Sequence, residues 1–166
     1  MTFFFFGTLM DREVIATVLD RPVDSDELSR AWLHGYRRVR AATAAYPVLV
    51  PAPGLVVRGV LFDPRSARDD VRIRHFEDGE YVDRWLTGHL PGGRRRPARV
   101  FFPLEVLGAT DIPWHLHEWA REHKPAFLMK CGEWMHDCPP DASDAVVEPN
   151  PEALVADGSR RGSRRR

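Results

Sequence analysis

Two short stretches carry side chains whose types and spacing could do chemistry. The first is RHFEDGEYVDR, residues 74–84, in which Glu77 follows Phe76 and precedes Asp78, Gly79, Glu80 and Tyr81. A carboxylate set against an aromatic ring and beside other acids is pushed towards higher pKa by desolvation and like-charge repulsion. A general base needs that adjustment, from an ordinary value of about 4.3 towards neutrality. The same residues also read as a solvated acidic turn. The second stretch is FFFFGTLMDRE, residues 3–13, where an apolar run meets a glycine, a threonine and then charge. A strand that ends in a loop before a helix offers unpaired amide N–H groups and the positive end of a dipole, suited to a carboxylate or an oxyanion. Gly7 would let the backbone approach a ligand closely, although many strand-to-helix turns carry a glycine for steric reasons alone.

Other reactive side chains fall into less telling patterns. Cys131 and Cys138 are seven apart, whereas zinc sites use closer pairs and two further ligands. They read as ordinary thiols in a reducing compartment. His115 and His117 alternate and point to different faces of a helix, so they read as surface or packing residues, as does His123. The basic tip GGRRRP, residues 92–97, reads as a solvated loop. Trp114, Trp119 and Trp134 are expected to cover the core. No serine, cysteine or metal arrangement suggests a nucleophile.

The elements that must position Glu77 and the glycine loop follow from periodicity. Phe3 to Phe6 make a continuous apolar run, as in a strand buried on both faces. Val14, Ile15, Val18 and Leu19 recur at helical intervals, with Thr8 or Asp11 as the cap and Arg21-Pro22 as the stop. RAWLHGYRRV and GLVVRGVLFD read as strands, with Pro47, Pro51, Pro53 and Gly54 marking the turns between them. Residues 65–76 form a short charged helix. YVDRWLTGHL and ARVFFPLEV are strands joined by the loop PGGRRRP, and a helix begins at Trp114 and is broken or kinked at Pro125. The predicted fold is α+β, with about five or more strands in a mixed, barrel-like sheet and flanking helices.

Composition sets outer bounds. With 166 residues, 43% hydrophobic and 29% charged, the chain suits one globular domain, expected over residues 1–138. Residues 139–166, with five acids and then five arginines, read as a disordered tail. Lys+Arg and Asp+Glu are each 24, so overall charge points to neither nucleic acid nor membrane. The phenylalanine run lacks the positive flank and cleavage site of an export signal, and nothing approaches the roughly 20 apolar residues that span a bilayer. The expected location is the cytoplasm.

The order of short motifs adds a resemblance. FGTL after the first strand, GYRR, YPVLVP, GVLF, FEDGEY and a late tryptophan-rich segment, from about Phe3 to Leu128, resemble the γ-glutamylcyclotransferase family. The nearest branch is that of the plant avirulence-induced proteins and their bacterial relatives. The resemblance implies a barrel-like α/β domain that closes a γ-glutamyl amine or amino acid to 5-oxoproline, without a cofactor or metal. It implies that Phe6, Gly7, Thr8 and Leu9, extending to Met10, hold the γ-glutamyl part, and that Glu77 is the general acid/base. Tyr46 and Tyr81 fall where the family has tyrosines and are expected to line the pocket. The implied partner is a small γ-glutamyl substrate, with no nucleic acid and no membrane. A small-metabolite binding module on the same fold, or removal of a γ-glutamyl group from a biosynthetic intermediate, are the alternatives. Three positions depart from the family pattern. Phe6 stands where tyrosine is common, and Ile73-Arg74 stand where Leu-Asp is common. Arg74 could pair with Glu77 and lower its pKa, or attract an anionic substrate.

Overall fold

The computed structural model describes residues 1–77, 81–104 and 107–139. The phenylalanine run forms β1 (Phe3–Phe5), which pairs antiparallel with β3 (Pro47–Phe62) and parallel with β5 (Arg95–Pro103). Both faces of β1 are buried. Phe4 and Phe6 point into a barrel interior with Leu33, Val57, Leu61 and Val100. Phe3 and Phe5 point outwards, stack on Phe101 and Phe62 at 5.6 and 5.8 Å, and meet the helices. A continuous apolar run is what a strand buried on both faces requires.

The ring closes through β4 (Tyr81–His89), antiparallel to β5, and β2 (Ser29–Ala41), which pairs with both β4 and β3. The result is a closed five-stranded barrel. A further strand, β6 (Ala109–Pro113), lies along the second half of β2 and was not foreseen from its sequence. Closure depends on a bend. The β2–β3 register shifts between His34 and Tyr36, where Gly35 has φ +85°. Such an irregularity bends a strand and increases its twist, so one long strand serves two parts of the barrel.

That bend also corrects the reading of the prolines. Pro47, Pro51, Pro53 and Gly54 lie within β3, and the chain reverses earlier, before Pro47. Pairing jumps from His34–Val56 to Tyr36–Pro51, so Pro53 and Gly54 occupy the unpaired span where no ladder donor is needed. Similarly, Arg95, Arg96 and Pro97 belong to β5 and not to the preceding loop. β1 reaches β5 only at Arg99, so β5 is an edge on that side at Pro97.

The helices cover the outer face. In α1 (Arg12–Leu19), Val14, Ile15, Val18 and Leu19 are buried. Asp11 is its cap, accepting from the amides of Glu13 and Val14 at 3.0 and 3.3 Å, while Thr8 begins a 3-10 turn over Thr8–Met10. α2 (Ala67–Glu77) buries only Ile73 and Asp69, and Arg21 reaches across to Asp69 at 2.7 Å. The last helical segment divides into α3 (Leu116–Glu122) and α4 (Lys124–His136), with Pro125 in the first turn of α4, where its missing N–H costs nothing. Apart from Pro139, the expected tail lies outside the described residues.

Candidate active site

β1 ends at a cleft of about 550 Å³, counted with its open mouth. Phe6, Gly7, Thr8 and Leu9 form one side. They belong to the tight turn between β1 and α1, in which Met10 N–H donates to the Gly7 carbonyl at 3.0 Å and Asp11 N–H to that of Thr8 at 2.9 Å. The first amides of such a turn, here those of Gly7, Thr8 and Leu9, have no acceptor within it. The end of α1 itself is not the anion site its position suggested. Asp11 occupies its amides and also pairs with Lys124 at 2.9 Å. Met10 is not part of the lining; its sulfur lies 3.9 Å from Nη1 of Arg38.

Gly7 has φ −123°, which any residue can adopt, so its backbone shape is not the constraint. Space is. A Cβ there would stand 2.7 Å from Cγ of Pro47, closer than such atoms approach. The glycine therefore lets the turn lie against β3.

Behind the turn stands Arg38. Its Nη1 donates to the Phe6 carbonyl at 2.6 Å and its Nε to that of Trp114 at 3.2 Å, with the guanidinium 5.1 Å above the Trp114 ring. Burial pushes Arg38 down to about 10, still cationic at neutral pH.

Glu77, half-buried at the last position of α2, lines the same cleft as the turn. A carboxylate at the carbonyl end of a helix gains no dipole stabilisation. Tyr46 and Tyr81 line it too, and the Tyr81 hydroxyl donates to the Pro47 carbonyl at 3.2 Å. Thus Glu77, four turn residues and both tyrosines converge from separate parts of the chain. Arg74 turns to Asp70 at 2.8 Å and Asp83 at 3.4 Å.

Sequence reading missed the rest of the wall. Pro47 and Phe101 come from β3 and β5, Phe76 from α2, and Phe127 and Trp134 from α4. Phe127 is the hub, with Phe76, Tyr46 and Trp134 meeting it edge-on at 6.2, 5.7 and 5.8 Å. Trp114 and Trp119 are buried as expected, but Trp134 is 43% exposed at the cleft. Nothing local distinguishes Trp134 from the other two. Among the described residues, no group of three or more His, Cys, Asp or Glu is placed to hold a metal ion, and no helix is long and apolar enough to cross a membrane.

Comparison with known proteins gives one family and a set of similar folds. The model of the family described as gamma-glutamyl cyclotransferase, AIG2-like, matches residues 3–134. Two Arabidopsis thaliana proteins solved in solution share the fold. One is 21% identical over 81% of this chain and 90% of its own, the other 20% identical over 90% and 92%, each with a TM-score of 0.56. A solved structure named gamma-glutamyl cyclotransferase covers 93% of this chain and 95% of its own at 12% identity, with a TM-score of 0.52. No curated protein matches the chain.

Proposed function

The chain belongs to the gamma-glutamyl cyclotransferase, AIG2-like family, and from that premise we propose that it cyclises a γ-glutamyl amide to 5-oxoproline and releases the free amine. The observation that carries this reading is that Glu77 and the Gly7–Leu9 turn line one cleft. In the substrate, the α-amino nitrogen attacks the γ-carbonyl carbon. The lactam C–N bond forms and the original amide C–N bond breaks. The α-ammonium loses two protons in becoming the lactam N–H; Glu77 takes them in turn and passes them to the departing nitrogen, which leaves as an ammonium, so Glu77 ends as a carboxylate.

Nucleophile and electrophile belong to one molecule, so the protein's main task is to hold a cyclising conformer. Such positioning can contribute on the order of 7–11 kcal/mol. The turn amides bind the substrate carboxylate or the oxyanion that develops on the γ-carbonyl. Arg74 is engaged by Asp70 and Asp83 on the neighbouring turn and strand. The chemistry asks for no cofactor.

Release of 5-oxoproline from γ-glutamyl amides, followed by mass spectrometry for wild type and Glu77→Gln, tests the reading. Glu77→Gln should lose about 10²–10⁴-fold in rate while remaining folded by circular dichroism. Full activity in a folded Glu77→Gln would remove Glu77 as the base.

A further inference from the structure

We infer that the amine released from this cleft has an aromatic or bulky apolar body and carries no carboxylate, with Trp134 as the side chain that selects it. This rests on the cyclase reading above and names its substrate class, a γ-glutamyl arylalkylamine rather than a γ-glutamyl amino acid.

The charge of the cleft makes the first half of the argument. Among the described residues its lining holds no arginine, lysine or histidine, and its one charged side chain is Glu77. Residues 78–80, which join Glu77 to Tyr81, are Asp-Gly-Glu and add no cation. Every γ-glutamyl compound brings the α-carboxylate of its glutamyl part, and the turn amides are the donors for one anion. An amino-acid leaving group brings a second carboxylate. Three cations on the elements around the cleft are already engaged. Arg38 is held by the Phe6 and Trp114 carbonyls, Arg74 by Asp70 and Asp83, and Lys124 by Asp11 and Glu13. A second carboxylate would be desolvated beside Glu77 without a charged partner, which is strongly unfavourable.

The shape of the cleft makes the second half. Phe76, Phe127 and Trp134 form an aromatic wall whose rings meet edge-on. Edge-on packing leaves ring faces available to a further ring. Trp134 remains 43% exposed on a helix that buries Phe127, Cys131 and Met135, so its surface is uncovered at the cleft. It is also held in place. Nε2 of His75 donates to the Trp134 carbonyl at 3.1 Å, tying α4 to the turn of α2 that carries Glu77. A ring on the leaving amine would cover that surface, whereas a methylamine would leave it wet.

Three probes test this on the whole protein: γ-glutamyl-phenethylamide, γ-glutamyl-phenylalanine, which adds a carboxylate to the same ring, and γ-glutamyl-methylamide, which removes the ring. By kcat/KM for 5-oxoproline release, the phenethylamide should exceed each of the others by about tenfold or more. Trp134→Ala should collapse the phenethylamide-to-methylamide ratio. Lys130, exposed one turn before Trp134 and outside the lining, is the rival partner for a carboxylate. Loss of γ-glutamyl-phenylalanine turnover on Lys130→Ala would overturn the inference. So would equal turnover of the phenylalanine and phenethylamine compounds, or a ratio unmoved by Trp134→Ala. Calorimetric binding of the same probes to Glu77→Gln separates the subsite from the reaction. Preferential binding of the phenethylamide without turnover by wild type would sink the cyclase reading and sustain the subsite. Equal binding of all three would overturn the subsite whatever the turnover.

Discussion

Nη1 of Arg38 donates a 2.6 Å hydrogen bond to the carbonyl oxygen of Phe6. A cation on β2 thereby fixes the peptide that leads into the Gly7–Leu9 turn, from 32 residues away in sequence. Its Nε, bonded to the Trp114 carbonyl, secures the entry to α3. Because the Phe6 carbonyl and the Gly7 N–H belong to one peptide, polarising the oxygen also strengthens the amide as a donor.

Arg38→Met keeps the apolar stem and removes the donors. The Phe6 and Trp114 carbonyls lose a charged partner, at a cost of about 1–3 kcal/mol in stability. In catalysis the loosened turn should lower kcat/KM about tenfold, as expected when a positioned group is displaced. Denaturant unfolding and 5-oxoproline kinetics check both. Arg38→Lys can reach one carbonyl but not both and should recover part of the loss.

Gly7→Ala should destabilise the protein by about 1–3 kcal/mol through the overlap of its Cβ with Pro47 Cγ, which stand 2.7 Å apart in the native geometry. Pro47→Ala deletes the ring atom that is struck. The double variant should therefore lose less than the two single losses added together. Additive losses in denaturant unfolding would show that Gly7 serves something other than this contact.

The ion cluster of Arg21, Glu27 and Asp69 predicts acid sensitivity. Burial raises the Asp69 carboxyl, but bonds from Arg21 and the Arg65 amide outweigh it and hold the group below the usual carboxylate range. The same balance, burial against Arg21 and the Asp24 amide, lowers Glu27. Carboxyls depressed in the folded state contribute fully above their unfolded values, near 4, and that contribution fades as pH falls through the folded ones. Unfolding free energy should drop below about pH 4. Arg21→Ala leaves Asp69 buried without its cation and should cost about 3 kcal/mol at pH 7. Protonation of Asp69 then relieves the variant, so the two stability curves should converge on acidification.

Asp11→Ala should cost about 1 kcal/mol by removing the cap of α1. Asp11→Asn keeps the capping oxygen and loses only the charge paired with Lys124, so it should cost less. Thermal melts of the two variants order them.

What could be read from the chain was what its neighbours in sequence encode. Four consecutive phenylalanines suit a strand buried on both sides, and β1 is one. The helical spacing of Val14 to Leu19 and the cap at Asp11 are local steric and hydrogen-bonding facts. Glu77 beside Phe76, and the FGTL turn, stood out in the sequence for the same reason, and both line the cleft. The signals that misled were also local. Prolines in β3 read as turns because their tolerance depends on a register break with β2, which no window of one strand contains. Likewise β6 exists because β2 offers it an edge.

By itself the sequence determined the kinds of elements, the barrel class and the two stretches that meet at the cleft. Folding decided what surrounds them. Closure of the ring sets Pro47 against Gly7, and docking of α4 sets Phe127 and Trp134 beside Phe76 and Glu77. It also sends Arg74 to Asp70 and Asp83 and buries Arg38 under Phe6. Local conformation depends on backbone sterics and side-chain period, which neighbouring residues fix. A binding wall depends on which distant surfaces exclude water together, and only the packed chain specifies that.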